Sequence, residues 1–279
     1  MGAPRDAYAR SMRLFDLPIS GTSAWIFNCY VIETEDDLVV VDPGLPIVAG
    51  RAMTMIRKDL DRSPTDVASV LCTHGHPDHV AGVTTLTGSA PCTVHLPGRC
   101  AAYLDGETPR TFGLLDATKR FMAVYREQRF SAGALVQFAN AGRRVGFGGP
   151  SQMTLDFVPD GFVDDGDVMP AAPGWEVIHA PGHTDDSTCL YHADSATLIS
   201  GDAVVTQDGY PWFNPEYVDR ATSAETEERL RSLPVAHLLP GHGRPISATD
   251  IWWNARSSDA PPTGRSLLAR CSRRLGSWP

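Results

Sequence analysis

Residues 25–34 are almost continuously apolar and β-prone, the acidic triplet Glu35-Asp36-Asp37 follows, and residues 38–41 are an unbroken apolar run. That pattern predicts a two-stranded hairpin. Beyond Asp42-Pro43-Gly44, Met53, Ile56 and Leu60 recur at helical spacing and predict a helix over about residues 47–60. Residues 68–72 read as a buried strand, 80–86 as the start of a helix and 91–95 as a further strand. Leu114, Phe121, Met122 and Tyr125 share one face of a helix over 114–125, and 142–150 reads as loop. Short strands are predicted at 153–158, 175–179, 188–191, 197–200 and 235–239. Thr222 and Glu225 have capping-box spacing ahead of a helix ending near Leu233, supported by Glu227 and Arg231 one turn apart. Strands alternating with helices, hairpins and no internal repeat predict one α/β (α+β) domain over 1–279. Its C-terminal extension, 247–279, ends in a basic stretch (Arg265, Arg270, Arg273, Arg274) that reads as a docked helix or a frayed end.

Composition narrows the function classes. With 42% hydrophobic and 20% charged residues in 279, the chain suits a folded globular protein. A net charge of -9 disfavours a phosphate-gripping surface, so no nucleic-acid partner is expected. No apolar run is long enough to span a membrane, and Arg5, Asp6, Arg10 and Arg13 occupy the place of a signal peptide's apolar core, so a soluble, cytoplasmic protein is expected. The six cysteines lie scattered without a CxxC, as free thiols do in a reducing compartment.

The chemistry concentrates after the strand at 68–72. His74-Gly75-His76-Pro77-Asp78-His79 places three imidazoles and a carboxylate in six positions, on a loop because Gly75 and Pro77 interrupt a helix. Such a donor set suits zinc, manganese or iron. Three later segments share one form, a strand running into a tight turn with a ligand: Ala180-Pro181-Gly182-His183, Ser200-Gly201-Asp202 and Leu239-Pro240-Gly241-His242. His95, His179, His192 and His237 lie in or beside apolar strands and read as structural.

On these residues the chain resembles the metallo-β-lactamase superfamily: its HxHxDH motif is matched by His74, His76, Asp78 and His79, and its later ligands by His183, Asp202 and His242. The resemblance covers about residues 20–246 and implies a four-layer αβ/βα sandwich with the metal site at one edge of the two sheets. It implies two divalent metal ions, Zn2+ foremost with Mn2+ or Fe2+ as alternatives. His74, His76 and His183 would hold one, Asp78, His79 and His242 the other, and Asp202 would bridge. A metal-bridging hydroxide would then be the nucleophile of a hydrolase. Leaving-group protonation falls to metal-bound water or to Asp78, and Asp42 would support the metal loop by hydrogen bonds.

The long gap between His79 and His183 suggests a helical insertion over 99–147, either a lid or an interface of a homodimer. Phe121 and Tyr125 on the insertion, and Tyr210, Trp212 and Phe213 after Asp202, are the expected substrate-pocket residues for a small apolar-bodied molecule. An ester, thioester or lactone hydrolase similar to glyoxalase II and the dinuclear lactonases is the leading class, although lactonases usually carry a Tyr where Ala203-Val204-Val205 stands. β-Lactamases proper lack the carboxylate that Asp202 supplies. A persulfide dioxygenase-like oxidoreductase with one iron on His74, His183 and Asp202 is the alternative, followed by phosphodiesterase, β-lactamase and non-catalytic binding protein.

Overall fold

A computed structural model describes residues 13–111, 124–147 and 152–261. One sheet has six strands, β1 (Ile19–Ala24), β2 (Phe27–Glu33), β3 (Leu38–Val41), β4 (Val67–Leu71), β5 (Thr93–Pro97) and β6 (Gly161–Val163), side by side in chain order. β1 to β3 pair antiparallel through tight turns, whereas β3 to β6 pair parallel and need crossovers. α1 (Pro46–Lys58) makes the first crossover; α2 (Pro77–Val80) and α3 (Val83–Thr87) make the second. The excursion from β5 to β6 carries α4 (Arg99–Leu104) and α5 (Ala132–Ala141).

The second sheet has five strands, β7 (Trp175–His179), β8 (Thr188–His192), β9 (Thr197–Gly201), β12 (His237–Pro240) and β13 (Ile246–Ser247), in the order β13-β12-β9-β8-β7. Between β9 and β12 lie a separate hairpin, β10 (Val204–Gln207) with β11 (Tyr210–Phe213), and the crossover helix α6 (Arg220–Arg231).

Side-chain parity builds the layers. Leu38 and Val40 of β3 pack with Val48, Ala52, Met53 and Ile56 of α1, while Val39 and Val41 face Val177, Leu190, Ile199 and Leu239 of the other sheet. The next residues along those strands, Ile178, Cys189, Leu198 and Leu238, face outward onto Leu230 of α6. Three apolar interfaces therefore separate four layers, helix, sheet, sheet, helix. Burial on both faces explains why these strands read as continuous apolar runs rather than as alternating ones.

Several expected elements shift. Ile-Ser-Gly-Thr-Ser-Ala forms a wholly buried strand, β1, that its polar composition hides. Helix α6 begins at Arg220, because the Asp219 carboxylate accepts from Thr222 N at 2.9 Å, so Asp219 and not Thr222 is the cap. The strand expected at 153–158 reduces to one bridge between Gly146 and Thr154. Of the helix expected over 114–125, residues 114–123 lie outside the described residues, and Val124 and Tyr125 open a short 3-10 turn, Val124–Arg126. The basic tail also lies outside the described residues. Cys29, Cys72, Cys100 and Cys189 are buried free thiols, and Cys92 is half-buried. Among the described residues, no helix is long and apolar enough to cross a membrane.

Candidate metal centre

β3, β4, β7, β9 and β12 all run in one direction within their sheets, and each C-terminal end feeds a polar side chain to the same edge: Asp42, the His74–His79 loop, His183, Asp202 and His242. The motif is not wholly loop as expected. Pro77 starts the single turn α2, so Asp78 and His79 are helical and only His74 and His76 stand on the loop. Gly75 between them is required by close approach, since a Cβ there would lie 2.6 Å from the Phe147 ring.

The expected ligands converge from these separate elements. Donor atoms of His74, His76 and His183 lie within 4.8 Å of one another, as do those of Asp78, His79 and His242 and those of His74, His79 and Asp202. Asp202 stands between the clusters: its Oδ2 is 3.5 Å from His183 Nε2 and 3.1 Å from His242 Nε2, and its Oδ1 is 3.5 Å from His79 Nε2. His76 Nδ1 lies 3.0 Å from His74 Nε2 and 3.1 Å from His183 Nε2. Three ring nitrogens turned on one another in a buried site suit a cation, because His76 Nδ1 has a single in-plane proton or lone pair and can make a good hydrogen bond to only one of the two nitrogens it faces. His79 Nε2 and Asp202 Oδ1 are moreover buried without a hydrogen-bond partner, as metal-binding atoms would be.

The opposite ring nitrogens are fixed by the protein. Asp42 accepts from Thr73 N at 2.7 Å and Thr73 Oγ1 at 2.8 Å, and lies 2.9 Å from His79 Nδ1. His183 Nδ1 donates to Glu216 O at 2.8 Å and His242 Nδ1 to Ile26 O at 2.9 Å. Each bond selects the tautomer that aims Nε2 inward.

Burial holds His74, His76 and His183 well toward the neutral form, His76 down to about 3. The other cluster behaves oppositely. Burial would lower His79 and His242, but Asp42 and Asp202 outweigh it at His79, and Asp202 with Asp78 raises His242 to about 10. Burial would likewise raise Asp202, but His242 and His79 hold it well below the usual carboxylate range.

Other positions are not legible from sequence as site residues. Asp186 is fully buried and accepts from Gly75 N at 2.7 Å and Cys100 Sγ at 3.2 Å, which pins the metal loop from behind. Asn214 Nδ2 donates to Asp202 O at 2.9 Å. Glu216 carries a carboxyl that burial, with Asp202 next, lifts to about 8. Phe147 packs edge-on against His76 with centroids 5.0 Å apart, and Phe27 against His242 at 5.7 Å. The doublet Asp185-Asp186 just after His183 is the one local signal of this group; the rest depend on approach of distant segments.

Among the expected pocket residues, Phe121 lies outside the described residues. Tyr125 is brought toward the centre: burial, then Glu216, Asp78 and Asp202, raise its phenol. Tyr210 is half-buried opposite Gln207 in the β10–β11 hairpin. Trp212 and Phe213 are core residues, 0% and 2% exposed, because opposite faces of β11 are both covered: Trp212 packs in the cluster of the first sheet and α1, and Phe213 packs onto Trp252. The remaining strand histidines bond elsewhere, His179 to Asp185 O and His192 to Ser195 Oγ, while His95 contacts Thr93 Oγ1 and His237 stacks on Phe15. A cavity of about 190 Å³ is lined by Pro18, Ile32, Glu33, Trp175 and His192 and shares no residue with the donor clusters.

Comparison with known proteins gives a consistent result. A family model described as the metallo-beta-lactamase superfamily matches residues 24–242. A probable metallo-hydrolase, YflN of Bacillus subtilis (strain 168), is 24% identical over 256 residues, covering 84% of this chain and 86% of its own. Among solved structures, a metallo-beta-lactamase family protein of Thermus thermophilus superposes with a TM-score of 0.57 at 19% identity, covering 85% of this chain and 76% of that one. A protein described in a di-iron-bound form, TTHA1623, has a TM-score of 0.51 at 21% identity, over 81% of this chain and 92% of that one.

Proposed function

The chain belongs to the metallo-beta-lactamase superfamily, and from that premise we propose that it is a metal-dependent hydrolase with two divalent cations. The observation that carries this reading is Asp202 standing between two three-residue donor clusters, its Oδ2 facing His183 of one and His242 of the other and its Oδ1 facing His79. His74, His76 and His183 would hold one cation, Asp78, His79 and His242 the other, with Asp202 shared. Zinc suits the nitrogen-rich set; manganese and iron are alternates, iron being supported by the di-iron form described for a protein of similar fold. Cations so held supply, when bound, an activated water and polarisation of the substrate's reacting oxygen.

The chain's own groups do the rest. Asp42 keeps His79 oriented through Nδ1, and Asp186 fixes the backbone between His74 and His76. Asp78 is 9% exposed against 3% for Asp202 and 2% for Asp42, which supports assigning it, the least enclosed of the three carboxylates, to the substrate side. Its Oδ2, 3.2 Å from His242 Nε2, is the oxygen that would bind the cation, and we assign the other carboxylate oxygen to carry a proton to the leaving group. Phe147 and Phe27, each 2% exposed, pack behind His76 and His242 and buttress them, and the half-buried Tyr125 of the 99–147 insertion is the aromatic we assign to the approach. Aromatic, apolar packing around an electrophile-activating centre supports ester, thioester or lactone carbonyls on a small apolar-bodied molecule as the substrate class. The name of the B. subtilis relative, a probable metallo-hydrolase, supports the reaction class.

The test is a panel of aryl and alkyl esters, thioesters and lactones assayed with the metal-loaded chain. Hydrolysis of at least one class is expected, with His76→Ala and Asp202→Ala each lowering kcat/KM by more than about 100-fold while circular dichroism stays native. Near-wild-type turnover in either variant would refute the assignment.

A further inference from the structure

The insertion is bonded to the loop that carries His242. Asn28, near the start of β2 and 2% exposed, donates from Nδ2 to Pro240 O at 2.8 Å and Gly243 O at 2.7 Å, carbonyls that bracket His242 in the chain. Its backbone N–H donates to Gly241 O at 3.1 Å. With the amide nitrogen committed to two carbonyls, Oδ1 must point the other way, and there it accepts from Gln128 Nε2 at 3.0 Å. One buried side chain therefore spans the His242 loop and the insertion.

Parallel bonds run between the same segments. Trp25 Nε1 donates to Tyr125 O at 2.9 Å, and Arg244 donates from Nε and Nη2 to Glu127 O at 3.2 and 3.1 Å. His242 itself donates to Ile26 O. Residues 125–128, 25–28 and 240–244 thus form one hydrogen-bonded unit with a metal-ligand candidate at its centre.

We propose that Asn28 and Gln128 are positioning residues that couple the seating of residues 125–128 to the placement of His242, so that the insertion tunes the Asp78, His79, His242 cluster. This rests on the two-cation reading above. Coupling of this kind is reciprocal: filling that cluster holds 125–128 down, and loosening 125–128 weakens the cluster. Groups that orient a ligand from behind are worth about 10- to 100-fold in metal affinity.

The experiment is a Zn2+ titration of the metal-free full chain against a competing chelator, with hydrogen exchange followed at the amides of 125–128. Gln128→Ala is expected to bind the first equivalent within about twofold of wild type and the second about 10-fold more weakly. Asn28→Asp, which keeps the acceptor for Gln128 but loses both donors to the loop carbonyls, should weaken the second equivalent further. The second equivalent should slow exchange at 125–128 in wild type and not in Gln128→Ala. Two equivalents of unchanged affinity in Gln128→Ala would overturn the coupling and leave the two-cation reading standing. A wild-type chain that binds only one equivalent would overturn both.

Discussion

At the scale of single residues, the two donor clusters differ in the protons they hold. His74, His76 and His183 are kept neutral by burial, so ligation there displaces no proton near neutral pH. His79 and His242 are raised by their carboxylate neighbours, His242 to about 10, so a cation must displace a proton from each ring nitrogen it takes. Affinity for the second equivalent should therefore rise with pH from 7 to 9, by about tenfold per pH unit for each proton released, while the first stays nearly flat. Calorimetry in buffers of different ionisation enthalpy counts those protons; equal, proton-free uptake of both equivalents would contradict the charge assignment. In the metal-free chain the same pairing runs the other way. A raised His242 contributes stability below its unfolded value near 6.5 that is lost as pH rises through about 10.

At the scale of elements, legibility depends on how local the cause is. The ligands are readable because each sits within a few residues of a strand end and carries its chemistry in its own side chain. Asp42 is readable through its place after β3. Asn28 and Asp186 are not, because the loop carbonyls that Asn28 holds and the Gly75 N–H that Asp186 accepts lie more than 200 and more than 100 residues away in sequence. β1 escapes because Ser20, Thr22 and Ser23 are buried in spite of their polarity, paired along β2. Phe213 misleads for a related reason: nearness in sequence to Asp202 says nothing of which way a hairpin faces. The strands of the second sheet show parity most clearly, and Leu190 of β8 is its clearest member, fully buried between the sheets. Leu190→Ala should lose about 2–5 kcal/mol in urea unfolding without changing metal stoichiometry. A loss below about 1 kcal/mol would mean that the sheets are not closely packed there.

At the scale of the molecule, two sheets packed face to face bring five strand ends to one edge, and that edge holds every donor atom of the site. Strand burial, not the metal, builds the three apolar interfaces, so ligand variants are expected to fold. The arrangement makes metal content the quantity that most directly tests the proposed function. The full-length chain, purified untagged and without chelator, should contain two divalent metal ions per chain by plasma mass spectrometry, falling to one or fewer in Asp202→Ala. A single iron per chain, unchanged on addition of zinc or manganese, would contradict the dinuclear hydrolase and favour an iron oxidoreductase built on His74, His183 and Asp202.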